Sequence, residues 1–138
     1  MDPSIVLPHR APFLLVDEVT EVVAQHSARG YWRLTGQEWF FSGHFPGRPT
    51  LPGVLMIESI AQLGGVCVLS GERYQGKLAL FGGIDKARFR RQVVPGDLLE
   101  LEVTMTRLGT SAGKGHGLAR VGTEVACEAD LLFVIVDS

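Results

Sequence analysis

Residues 53–70 read Gly-Val-Leu-Met-Ile-Glu-Ser-Ile-Ala-Gln-Leu-Gly-Gly-Val-Cys-Val-Leu-Ser, an almost unbroken apolar run, and no other stretch constrains the fold as strongly. At 1.5 Å of rise per residue, the run makes a helix about 27 Å long. A helix that is apolar on every side has to be enclosed, by lipid or by protein. Glu58 and Gln62 break the run and Gly64-Gly65 weakens it. The expectation is therefore a core helix surrounded by protein, with no membrane partner. Pro52 brings the fixed φ favoured at a first helical position.

The surrounding protein reads as strand. Residues 99–106, Leu-Glu-Leu-Glu-Val-Thr-Met-Thr, alternate apolar and polar, which marks a strand with one buried and one wet face. A second long strand is expected over residues 123–136, with Val125, Cys127, Ala129, Leu131, Phe133 and Ile135 on one side. The Gly-rich stretch 109–117 reads as a turn between them, so the two are expected to pair as a hairpin. Residues 17–35 suggest another hairpin turning around 27–30, and residues 78–89 a further strand ending in basic side chains. One long apolar helix among five or six antiparallel strands is covered only when a single curved sheet wraps around it, an α+β arrangement. No repeat or linker interrupts the chain, and residues 1–138 read as one domain.

Composition narrows the function classes. A formal charge of −2 over 138 residues gives no general attraction to phosphate backbones, so no nucleic-acid partner is expected. Cys67 and Cys127 sit inside apolar runs and read as reduced, packed side chains suited to the cytoplasm. Pro3, Pro8, Arg10 and Pro12 interrupt the N-terminal segment, which argues against a secretory signal. His9, His26, His44 and His116 lack the short spacings of a metal site. No metal or cofactor is expected, and histidines other than His44 read as surface residues.

Two segments can carry chemistry. Residues 40–53 hold three glycines and three prolines, a rigid loop that feeds the helix and contains His44. A lone loop histidine is more often a hydrogen-bonded surface residue than a catalyst. Glu58, however, is the one carboxylate in an apolar helix. Its burial without a partner would cost several kcal/mol or keep it protonated. The structural alternative is a hydrogen bond to Gln62, one turn along. Taken together, a base on the loop and a protonated acid on the helix suit elimination of water from a 3-hydroxyacyl thioester. Free amides at the helix N-terminus near Gly53 would polarise the carbonyl, and Gly53 would let it approach closely.

Several motifs recur together over most of the chain: Leu7-Pro8-His9-Arg10 with Pro12-Phe13-Leu14-Leu15-Val16-Asp17, the 43–49 loop Gly-His-Phe-Pro-Gly-Arg-Pro, and Pro52-Gly53-Val54-Leu55 with Glu58 and Ala61-Gln62. To these add Gly83-Ile84-Asp85 with Ala87-Arg88-Phe89, and Val94-Pro95-Gly96-Asp97. This set resembles the FabZ-type beta-hydroxyacyl-acyl carrier protein dehydratases. The resemblance implies a hot-dog fold, and a reversible dehydration of (3R)-hydroxyacyl-acyl carrier protein to the trans-2-enoyl form, in fatty acid or related polyene or polyketide biosynthesis. It implies His44 as the catalytic histidine and Glu58 as the acid, with Phe45, Pro46, Gly53, Val54 and Gln62 around the substrate. It further implies that the two catalytic residues meet across a homodimer interface, with a trimer of dimers as a larger form. Glutamate at 58, where the related dehydratase-isomerases carry aspartate, implies dehydration without isomerisation, although Trp39-Phe40-Phe41 is similar to the isomerase branch. Ala11 stands where an aromatic is common, and residues 110–117 lack the usual Trp-Lys pair; both bear on chain-length preference.

Lys86, Arg88, Arg90 and Arg91 place four cations within six residues, suited to the acidic helix and phosphopantetheine phosphate of an acyl carrier protein. A solvated strand end accounts for them equally well. Gly109-Thr110-Ser111-Ala112-Gly113 fits G-x-S-x-G, but it joins two strands and so reads as a turn rather than a nucleophile elbow. The glycines at 113, 115 and 117 do not form a dinucleotide fingerprint. Two other functions suit the same residues: a hot-dog thioesterase that directs a carboxylate at water, and a non-catalytic acyl-chain or carrier-protein binding module.

Overall fold

The structure is a computed structural model that describes residues 1–138. The apolar run forms helix α1, Gly53–Leu69. Residues 55–57 and 59–68 of α1 are all buried, each large aliphatic side chain contributing roughly 1.5–3 kcal/mol on leaving water. No helix is long and apolar enough to cross a membrane. Pro52 lies one residue outside the helix, at the N-cap, with φ −57° and ψ 131°. The pyrrolidine ring fixes φ but leaves ψ free, and here ψ is extended.

Six antiparallel strands enclose α1: β1 Glu18–Val23, β2 Ser27–Arg33, β3 Lys77–Phe89, β4 Leu98–Leu108, β5 Ala112–Val121 and β6 Glu124–Asp137. They form one sheet in the order β1-β2-β4-β5-β6-β3, and α1 packs against all six. The alternation expected on residues 99–106 holds, with Leu99, Leu101 and Val103 buried. So does that of the last strand from Cys127 on, where Cys127, Ala129, Leu131, Phe133 and Ile135 are buried; Val125 is only half-buried, because the register shifts against β5 there and Ala126 is buried instead. This is the α+β sheet-around-helix arrangement expected from the sequence. Cys67 and Cys127 are free and buried, and burial pushes both thiols up to about 11.

Two turn assignments fail. Residues 109–117 are not one turn between β4 and the last strand, because Ala112–Val121 is itself a strand that separates them, pairing with β4 on one side and β6 on the other. Its inward positions are Gly113, Gly115 and Gly117, where a Cβ would meet Leu108, the Met105 sulfur and Ile60 respectively. The glycines are there because larger neighbours fill the space, and their lack of side chains hides the period-two pattern. The first hairpin turns at residues 24–26, with Gln25 at φ 64°, and not at 27–30. Gly30 lies inside β2, where a Cβ would collide with the Glu18 carbonyl.

The two edges of the sheet differ. β1 is capped by the chain start, since Val19 N donates to the Met1 carbonyl at 3.0 Å. β3 pairs with β6 alone, and it carries Leu80, Phe81 and Ile84 at 49%, 41% and 50% exposure. Residues 78–84 of β3 carry no charge, and an exposed apolar edge stretch of this kind is unusual in a protein that stays a single chain.

Candidate active site

His44 is set by main-chain bonds. Buried Phe40 and Phe41 anchor a short 3₁₀ turn, and His44 caps it. The following turn closes through Phe45 N to Arg48 O (3.1 Å) and Arg48 N to Phe45 O (2.9 Å), with Gly47 at φ +75°. Thr50 N donates to His44 O at 2.7 Å, and Leu51 N ties the loop to Val93 O at 2.8 Å. The imidazole stacks on Phe45 with ring centroids 4.1 Å apart. Its Nδ1 lies 2.8 Å from the Thr50 carbonyl. A carbonyl only accepts, so Nδ1 carries the proton and Nε2 is left as a free base.

His44 lines an open cleft of about 560 Å³ together with Gly53, Val54, Phe89, Arg90 and Arg91. The amides of Leu55 and Met56 both donate to the Pro52 carbonyl, while those of Gly53 and Val54 have no acceptor in the chain. Two free N–H groups at the positive end of a buried helix therefore face the cleft that holds the free base. A Cβ on Gly53 would lie 2.7 Å from the Phe89 ring, so packing against β3 also requires glycine there.

Glu58 lines a different cavity, of about 220 Å³, with Leu7, His9, Gln62, Leu80 and Phe81 among its walls. Its Oε2 is buried with no hydrogen-bond partner. Desolvation raises its pKa above the usual carboxylate range, opposed in part by the Gln62 amide. Gln62 itself is committed elsewhere: Oε1 accepts from Leu15 N (2.7 Å) and Nε2 donates to Phe13 O (2.8 Å). Ser59 Oγ donates to Leu15 O at 2.7 Å. The two polar side chains beside Glu58 thus clamp residues 13–15 onto α1.

Within one chain, then, His44 and Glu58 open into separate cavities, although one loop and one helix carry both. Of the residues expected around a substrate, Gly53 and Val54 share the His44 cleft and Gln62 borders the Glu58 cavity. Phe45 is exposed beside His44, and Pro46 is exposed in the same turn; neither lines either cavity. Arg90 pairs with Glu128 at 2.7 Å, and Arg91 lies 3.6 Å from Glu124 and 3.9 Å from Asp97. Lys86 and Arg88 have no ion-pair partner and are exposed. His26 is exposed, as expected of a surface histidine. His116 is exposed too, but on β5 rather than in a turn, with Nδ1 2.7 Å from Asp130. His9 departs from the expectation, since it is half-buried with Nδ1 fully covered. Its signal in the sequence is the Leu7-Pro8 pair ahead of it, an apolar anchor too short to be read as an element.

The family of FabA-like domains matches residues 7–130. The 3-hydroxyacyl-acyl-carrier-protein dehydratase FabZ of Moorella thermoacetica is 57% identical over 130 residues, covering 94% of this chain and 91% of that protein. The protein of the same name from Clostridium botulinum is 54% identical, covering 94% and 90%. Among solved structures, the dehydratase heterocomplex ApeI:P of Xenorhabdus doucetiae superposes with a TM-score of 0.81 at 20% identity, over 100% of this chain and 93% of that one. Cj0977, a sigma28-regulated virulence protein of Campylobacter jejuni, does so at 0.71 and 14%, over 99% and 88%. At these identities the two structures speak for the hot-dog fold alone. The extent of the family match and the identity of the relatives go further, and together they place this chain in the FabA-like family, among the FabZ dehydratases.

Proposed function

We propose that this chain dehydrates (3R)-hydroxyacyl groups carried on acyl carrier protein to trans-2-enoyl thioesters, with His44 as base and Glu58 as acid. The observation that supports the roles is the buried, unpartnered Glu58 oxygen on a residue that lines a cavity beside the edge strand β3, where desolvation raises the carboxyl's pKa. His44 Nε2 takes the C2 proton, and the electron pair moves to form the C2=C3 bond. Glu58 gives its proton to the C3 hydroxyl, which departs as water. Negative charge gathers on the thioester oxygen as C2 loses its proton, and the free amides of Gly53 and Val54 are the donors that oppose it.

A chain with its base and acid in separate cavities needs a second copy. In the proposed homodimer, β3 meets β3 of a second chain, covering Leu80, Phe81 and Ile84 and bringing each Glu58 to the other chain's His44. A trimer of such dimers is a further form of the same proposal. Lys86 and Arg88, exposed and unpaired, and Arg90 and Arg91, at the mouth of the His44 cleft, form the proposed landing surface for an acidic carrier and its phosphate. The working compartment proposed is the cytoplasm.

Hydration of a crotonyl thioester, followed by loss of enoyl absorbance, tests the assignment. Turnover that fails with His44→Ala and with Glu58→Gln supports it. An unchanged rate in either variant overturns the roles, and release of free thiol without hydration would make the protein a thioesterase.

A further inference from the structure

Ile84 and Phe89 of β3 stand at an odd spacing, which in an unbroken strand places side chains on opposite faces. Here they pair with Leu131 and Cys127, which are both buried on the inner face of β6. The register slips between Asp85 and Arg88, and Lys86 lies there at φ 51°. This bulge turns the Phe89 ring from the outer face of the sheet to the inner one. The strand end is then held from β6, since Arg90 N donates to Ala126 O at 2.8 Å and Arg90 pairs with Glu128 at 2.7 Å.

The ring stops short of the core. It lies against the first residue of α1, where a Cβ on Gly53 would come within 2.7 Å of Phe89 Cε1 and 2.8 Å of Cδ1. Phe89 is nevertheless 53% exposed, and its open side is a wall of the cleft that His44, Gly53 and Val54 also line. The two amides without an acceptor, those of Gly53 and Val54, therefore begin at an apolar surface. Oriented donors offset developing charge more strongly where water is kept away.

Resting on the dehydratase reading, we propose that Phe89 is a positioning residue: its ring keeps water from one side of the Gly53–Val54 turn, so that the thioester oxygen meets the two amides without competing solvent. Phe89 moves no proton and offers no hydrogen bond. It acts through the amides, whose hold on the thioester oxygen strengthens as C2 loses its proton and charge gathers there. The bulge is part of the device, because without it the ring would stand on the outer face of the sheet.

A graded series, Phe89→Leu, Phe89→Val and Phe89→Ala, uncovers the amides in steps. Crotonyl-thioester hydration gives kcat and KM for each variant and for the parent. The carbonyl stretch of an isotope-labelled crotonyl thioester reports its polarisation by the amides; it is read by infrared difference spectroscopy on each protein carrying His44→Ala, which stops turnover. The expected result is a stepwise fall in kcat to about tenfold below the parent in Phe89→Ala, with KM within about twofold. Phe89→Leu keeps most of the rate, and the stretch moves in the same order from its parent frequency towards its frequency in water. Rates that fall while the stretch stays at the parent frequency would mark a packing role and overturn the proposal. So would a Phe89→Ala variant as fast as the parent. Either result leaves the dehydratase assignment standing, whereas a parent without hydration activity overturns both. If thermal melting shows Phe89→Ala unfolded, the step from Leu to Val carries the same decision.

Discussion

The two cavities of this chain are built on opposite principles. Around His44 the loop is tied down by main-chain bonds at Phe45, Arg48, Thr50 and Leu51, Nδ1 is locked to the Thr50 carbonyl, and the ring has one nitrogen free. Around Glu58 the polar neighbours Ser59 and Gln62 clamp residues 13–15, and the carboxyl keeps one buried oxygen without a partner. The first arrangement fixes a tautomer whose Nε2 can accept a proton, as the proposed base requires. The second raises the carboxyl's pKa by desolvation, as the proposed acid requires. Within one chain the two groups line separate cavities, and the open β3 edge beside the Glu58 cavity is where the proposed second copy would add a wall.

The sharpest break of that pairing is removal of either group. His44→Ala and Glu58→Gln are each expected to lower kcat by about a thousandfold or more, since each removes a proton-transfer partner and its charge stabilisation. Mixing the two inactive variants after subunit exchange then tests whether the cavities belong to different chains. A mixed dimer has one site with both groups intact and one with neither. Recovery should approach about a quarter of the parental rate at equal mixing, and a mixture that stays dead would place base and acid in the same chain.

Next in size is the edge strand. Ile84→Lys puts a charge on the exposed apolar edge, and the expected outcome is a monomer by sedimentation with hydration activity largely lost. The same charge on the other edge, Thr20→Lys, should leave both assembly and rate unchanged. If Ile84→Lys remains a fully active dimer, β3 is not the shared surface. A smaller and purely structural effect is expected from Gly117→Ala, whose Cβ would collide with Ile60 on α1. Overpacking of this kind costs about 1–3 kcal/mol, read as a lower denaturant midpoint.

The same contrast explains what could be read in advance. Helix α1 was legible because its run of apolar side chains leaves no wet face, β4 because its alternation over 99–106 is unbroken, and β6 because its apolar residues run on over 131–136. β5 was not, since its inward positions are glycines and a missing side chain carries no hydropathy signal; only the position of Ile60 and Met105 makes sense of them. His44 and Glu58 stand out by residue type against their surroundings. That they occupy separate cavities, and that His9 turns into the wall of one, depends on where residues 7–15 dock, which the Ser59 and Gln62 clamps decide through space.

The smallest expected effect, and the most direct reading of the Glu58 environment, is on stability against pH. Desolvation raises the folded-state pKa of Glu58 above that of the unfolded chain, so the folded form holds this proton more tightly. The resulting stability is present in full below the unfolded carboxylate pKa, and it is lost as pH rises through the folded value, because the folded chain must then bear a buried charge. Glu58→Gln removes the titration while keeping the shape. The variant should therefore melt on the order of a few degrees higher than the parent at pH 8, and the gap should close as pH falls to about 4, near the unfolded glutamate pKa. A gap that is constant with pH would mean that Glu58 is solvated as ordinary glutamates are, and the contrast between a wet base and a dry acid would go with it.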